Sequence, residues 1–140
     1  MSKMIFVNLP VRDLKASTAF YITLGATLNP QFSGEKSSCM MFSDTIGVML
    51  LTHEHYRQFI QRPIGDARRE SHALLALSVE SRDAVNATLS QATAAGGGAD
   101  PAPPQDHGFM FSRSVEYPDG NVWEIMWMDP AALAQKPGGA

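Results

Sequence analysis

One carboxylate interrupts an otherwise almost wholly apolar run: in VWEIMWM, residues 122–128, Glu124 stands between Trp123 and Ile125. On a face that meets water it would need no explanation, but on a face lining an enclosed space its charge must be useful or neutralised. Glu124 is therefore the first candidate for a binding carboxylate or a proton-transferring base. Four histidines offer further chemistry. His53 and His55 form HEH, which looks like a ligand pair, yet Arg57 stands where a zinc-protease HExxH would need its second histidine. His72 lies two residues before Leu74, and His107 in QDHGFMFSR precedes Gly108, at a loop position where an imidazole suits proton transfer. Cys39, beside Met40 and Met41, reads as a small packed side chain and not as a nucleophile. Arg113 is read as a surface ion-pair partner in preference to an anchor for an acidic ligand.

The elements that must position these groups occur twice. FVNLPV (6–11) and LLALSV (74–79) both alternate, with Val7, Leu9 and Val11 on one face and Leu75, Leu77 and Val79 at the matching places. That is the period of a strand half buried against a helix. Each run precedes a helical pattern with a start signal: Asp13 before Leu14, Phe20, Tyr21 and Leu24, and Ser81 before Val85, Leu89 and Ala92. Both patterns stop at glycine, Gly25 in one case and Gly96 to Gly98 in the other. Later, VMLL (48–51) matches VWEI (122–125), each following turn residues, SDTIG and YPDGN.

Two further strands fit in each half, at roughly 27–33 and 38–43, then 99–105 and 109–116. GGGADPAPPQD holds a modest insertion, combining a glycine helix stop with a proline-bearing edge connection. The predicted organisation is one domain over 1–130 made of two repeats, about 4–52 and 72–129, with a linker at 53–71 and a tail at 131–140. The linker begins with a short helical pattern, Tyr56, Phe59 and Ile60, ends it at Pro63 and becomes basic.

A hydrophobic share of 44% and a charged share of 18% exclude global disorder, and a formal net charge of -3 removes the electrostatic case for nucleic acid. No apolar run approaches the roughly 18 residues of a membrane span. The opening MSKMIFVNLPVRDL reads as a strand and not as a secretion signal, and a lone cysteine cannot form an internal disulfide. A cytoplasmic location is expected.

The duplicated pattern, with LPVRDLKASTAFY early and YPDGNVWEIMWM late, resembles the vicinal oxygen chelate superfamily over about residues 4–129. That superfamily includes glyoxalase I, extradiol dioxygenases, fosfomycin-resistance enzymes and bleomycin-resistance binding proteins. The resemblance implies an α+β fold in which two βαβββ repeats form curled sheets around a cavity, with helices on the outer faces. It also implies a homodimer, as in many relatives. In the family's metalloenzymes a divalent ion is held on the first and last strands of the two repeats. Those positions fall here on Phe6, Leu74, Leu50 and Glu124. Three of the four are hydrocarbon and cannot coordinate a cation, so no tightly bound metal is expected there. A displaced site would need His72, His53 or His55 with Glu124.

Alternation puts Phe6 and Asn8, Val48, Leu50 and Thr52, Leu74 and Ala76, and Val122, Glu124 and Met126 on faces opposite the helices. They are expected to line an oily chamber for a small-molecule ligand, with Met40, Phe42, Phe109 and Phe111 completing the walls according to register and His107 at the mouth. The alternative is that these side chains fill the space themselves. Glu124 then binds a cationic or hydroxyl-bearing ligand, moves a proton, or is an inherited ligand residue satisfied by a donor such as Asn8. Trp123 and Trp127 have the opposite parity and are expected against the helix. Two functions follow: a non-metal binding protein of the bleomycin-resistance type, or a lyase, isomerase or dioxygenase-type enzyme with Glu124 as base or metal ligand.

Overall fold

The computed structural model of the chain describes residues 2–133. The chain divides into two compact units, Met1–Glu70 and Ser71–Ala140. The first unit runs β1 (Ile5–Val11), α1 (Leu14–Thr23), β2 (Thr27–Leu28), a 3-10 turn (Pro30–Phe32), β3 (Ser37–Met41), β4 (Ile46–Thr52) and α2 (His53–Tyr56). The second runs β5 (Leu74–Ser78), α3 (Arg82–Ala94), β6 (Gly98–Ala99), β7 (Gln105–Asp106), β8 (Met110–Glu116), β9 (Val122–Met128) and α4 (Pro130–Leu133). The fold is α+β. The sheets have orders β1-β4-β3-β2 and β5-β9-β8-β6, with β7 added beside β8, and neither closes on itself. Of the expected tail, 131–133 belong to α4 and 134–140 lie outside the described residues.

Local chemistry sets the helix limits. Asp13 accepts from the Ala16 N–H at 3.0 Å, and Ser81 accepts from the Ala84 N–H at 3.0 Å, satisfying donors that the first helical turn leaves free. Gly25 and Gly96 follow the last turns with φ of 102° each, a conformation that favours glycine.

In the first unit α1 packs Phe20 and Tyr21 against Leu9, Val11, Met40, Val48 and Leu50, all buried. In the second, α3 packs Val85, Leu89 and Ala92 against the sheet side that buries Val115, Trp123 and Ile125. Both tryptophans take the helix side. Trp123 pairs with Leu75 and Val115, while Trp127 pairs with Phe111 and lies beneath Arg82.

Two expected strands are shorter than foreseen. The 27–33 strand stops at Leu28, where Asn29 accepts from Gln31 N–H and Pro30 starts the 3-10 turn. The 99–105 strand is broken into β6 and β7 because Pro101, Pro103 and Pro104 have no N–H to give a ladder. Among the described residues no helix is long and apolar enough to cross a membrane.

Candidate functional site

Glu124 lies on the face of the second sheet turned away from α3. Its cross-strand partners are Ala76 on β5 and Ser114 on β8. Paired residues share a face, so Leu74, Ala76 and Ser78 on β5 lie beside Val122, Glu124 and Met126 on β9. Ser112, Ser114 and Glu116 extend the same face onto β8.

Glu124 is half-buried, and among the described residues it makes no hydrogen bond or ion pair. Ser114 is engaged: it accepts from Ala102 N–H at 3.3 Å and donates to Ala102 O at 3.4 Å. Ala76 and Ser78 are exposed, and Leu74 is 61% exposed. Small side chains therefore surround a carboxylate that has no partner of its own. Ser112, Ser114 and Glu116 escaped the sequence reading, although the alternation of MFSRSVE, with Phe111, Arg113 and Val115 on the other face, carried the signal.

The first sheet places some predicted residues otherwise. On β1, Phe6 and Asn8 do face away from α1; Phe6 is 42% exposed, and Asn8 Nδ2 donates to the Phe6 carbonyl at 3.2 Å. On β4 the register pairs Asn8 with Met49 and Leu9 with Leu50. Leu50, 0% exposed, thus belongs to the α1 side with Leu9, and so does Val48. Met40 pairs with Val48, is 0% exposed, and shares that side with Ser38, whose hydroxyl meets Thr18 of α1 at 2.7 Å. The placement of Leu50 and Met40 in a chamber wall is therefore corrected, since both are core residues under α1. The repeat partner of Glu124 is Met49. VMLL is apolar at every position, and the one polar residue of SCMM, Ser38, is itself turned to the helix, so alternation could not reveal which residues faced it.

Phe111 is corrected in the same way, since it pairs with Trp127 on the α3 side. Above both rings lies Arg82, its guanidinium carbon 5.2 Å from the Phe111 centroid and 5.3 Å from that of Trp127. Arg82 also forks onto Asp106, at 3.0 and 2.7 Å, and donates to Gly108 O at 3.0 Å. These bonds, with the Gly108 N–H, hold the Asp106 carboxyl down at about 2. His107, next to it, is exposed on the β7–β8 turn with its ring 6.2 Å from that of Phe109. Arg113 forks onto Asp100 at 3.1 and 2.8 Å and also reaches Asn86 of α3, so it serves the helix side of the sheet.

Phe6 and Met41 meet over Gly47. A β-carbon at position 47 would lie 2.9 Å from the Phe6 ring and 2.8 Å from Met41 Sδ. Glycine thus lets the ring and the thioether lie flat on the sheet.

The first- and last-strand positions offer Phe6 and Met49 in one unit, Leu74 and Glu124 in the other. Hard divalent ions require oxygen or imidazole donors, so this donor set does not suit them. Among the described residues no three His, Cys, Asp or Glu side chains gather as a metal site. His53 and His55 are half-buried in α2, where the His55 ring stands edge-on to Phe59 at 5.1 Å, and His72 is exposed before β5.

A sequence profile described as Glyoxalase/Bleomycin resistance protein/Dioxygenase superfamily matches residues 3–125. The chain belongs to that superfamily. Solved structures agree on the fold. A hypothetical protein from S. aureus superposes with a TM-score of 0.74 at 20% identity, covering 91% of this chain and 94% of that one. A glyoxalase/bleomycin resistance protein/dioxygenase family enzyme from Burkholderia phytofirmans gives 0.72 at 22% identity, covering 91% and 99%. The genomically encoded fosfomycin resistance protein from Listeria monocytogenes gives 0.65 at 18% identity, covering 100% and 99%. No match was found among curated proteins.

Proposed function

We propose that this superfamily member is a small-molecule-binding protein of the bleomycin-resistance type that takes a largely hydrophobic ligand bearing one cationic or hydroxyl donor. The observation that carries the proposal is the partnerless, half-buried Glu124 amid Ala76, Ser78 and Ser114. A carboxylate withdrawn from water is retained at a cost to stability unless something binds it. Leu74 and Met126, on the same sheet face as Glu124, supply apolar contact, and His107 a polar group near a turn. The protein is further proposed to work as a cytoplasmic homodimer, without a tightly bound divalent metal.

Glu124→Gln and Glu124→Leu test the proposal. Screened by thermal shift against cationic amphiphiles and hydrophobic alcohols, the wild-type protein should be stabilised by at least one class. Glu124→Gln should lose that response, while Glu124→Leu should be more stable in the absence of ligand. A response that survives both substitutions would remove Glu124 from the site. Turnover of a bound compound that Glu124→Gln abolishes would favour the lyase, isomerase or dioxygenase alternative, with Glu124 as base. Stoichiometric divalent metal in protein purified without chelator or histidine tag would overturn the metal-free form.

A further inference from the structure

Three sulfur-bearing side chains share the face of the first sheet opposite α1. Cys39 and Met41 are two residues apart on β3 and point the same way. The Cys39 Sγ and Met41 Sδ are 3.8 Å apart. Met49 on β4 is the cross-strand partner of Cys39. The Phe42 N–H bonds to Ile46 O at 2.9 Å and the Thr52 N–H bonds to Lys36 O at 3.0 Å. Those contacts mark the hydrogen-bonded rungs, which leaves Cys39 and Met49 on a rung without hydrogen bonds, where facing side chains approach more closely. With β-carbons about 4.5–5.5 Å apart in such pairs, the Met49 thioether is within reach of the thiol through a rotation of its three free torsions.

The spacing suits one small ion. Two sulfurs each about 2.3 Å from a common metal and about 120° apart stand about 4 Å from one another, close to the 3.8 Å between Cys39 and Met41. No carboxylate or imidazole lies on this face of β1, β3 or β4, where the other residues are Phe6, Asn8, Pro10, Ser37, Gly47 and Leu51. A thiolate with two thioethers and no hard donor selects Cu(I) over zinc, magnesium or manganese.

We propose that Cys39, Met41 and Met49 form a three-coordinate site for Cu(I). On binding, the Cys39 S–H bond breaks, its proton goes to water, and a Cu–S bond forms; Met41 and Met49 donate lone pairs, and no electron is transferred. Burial pushes the free Cys39 thiol up, so the metal-free protein carries a neutral thiol whose proton the cation replaces. Cys39 itself is buried, whereas Met41 and Met49 are half-buried and give the ion its path from solvent. The site does not depend on Glu124.

Anaerobic titration of the full chain with Cu(I), against bicinchoninate as a coloured competitor, reads stoichiometry and affinity. The expected result is one ion per chain, loss of that ion in Cys39→Ala, and at least about tenfold weaker binding in each of Met41→Leu and Met49→Leu. The two leucine variants keep volume and should keep the far-ultraviolet circular dichroism of the parent. Binding that survives Cys39→Ala, or undiminished affinity in both leucine variants, would overturn the proposal, the second result pointing to a thiol acting alone. A copper-edge X-ray absorption spectrum should show a shell of sulfur only, and a nitrogen shell, marking capture by histidine, would equally defeat it.

Discussion

Replacing Leu50 and Met49 by alanine, one at a time, tests the register on which the first unit's face assignments rest. Leu50 is 0% exposed and lies under α1, while Met49 is half-buried on the opposite face. Leu50→Ala removes three buried carbons, about 2.4 kcal/mol at about 0.8 kcal/mol each. A remaining cavity of about 50 Å3 adds about 1.2 kcal/mol at about 24 cal/mol per Å3, for a total of about 3 to 4 kcal/mol. Met49→Ala removes atoms already partly wet and should cost about 1 kcal/mol. Both tryptophans are in the second unit, so urea unfolding is best followed by far-ultraviolet circular dichroism. With a slope of about 2 kcal/mol/M, the Leu50→Ala midpoint should fall by about 1.5–2 M and that of Met49→Ala by about 0.5 M. Equal or reversed shifts would mean that β4 is displaced by one residue, which would turn every side chain on it to the other face and refute the pairing of Met49 with Cys39 and Asn8.

The remaining expectations concern the helix starts and one carboxylate. Asp13→Ala and Ser81→Ala should each cost about 1 kcal/mol in chemical denaturation, because each removes the acceptor of a first-turn N–H; Asp13→Ser and Ser81→Asp should recover most of the loss. Asp106 has its carboxyl lowered from 3.8 to about 2 on folding. A depressed folded value contributes stability that is complete above the unfolded value and is lost as the pH falls through the folded one. The stability gap between the parent and Asp106→Asn should therefore be flat above about pH 5 and close between about pH 4 and pH 2. A gap independent of pH across that window would show that Arg82 does not sense the charge of Asp106.

What could be read from the chain in advance followed the strength of each local signal. Asp13, Ser81, Gly25 and Gly96 act through their own backbone neighbours, so their roles were visible one residue at a time. Glu124 and its companions Ala76 and Met126 were placed on one face because VWEIM has a polar residue to break the symmetry of the strand. VMLL has none, and only pairing with β1 distinguishes Leu50 from Met49. SCMM hid Met40 because its polar residue, Ser38, shares the helix side with it and so pointed the wrong way. The division of 99–105 was legible in its prolines, which deny donors to a continuous ladder. Arg82 passed unnoticed because its partners, Asp106, Phe111 and Trp127, are distant in sequence.

Two arginine forks bracket the stretch PAPP at 101–104. Arg113 grips Asp100 just before it, and Arg82 grips Asp106 just after it. Each fork is tied to α3, through Asn86 in one case and through Arg82 itself in the other. The four exposed residues between them are fastened once more, where the backbone of Ala102 meets the Ser114 hydroxyl. Residues can be added or deleted there at small entropic cost, since closure entropy grows only slowly with loop length. Loop-length variation at this point should accordingly leave the β8 backbone in place while releasing the hydroxyl of Ser114, the cross-strand neighbour of Glu124, from Ala102.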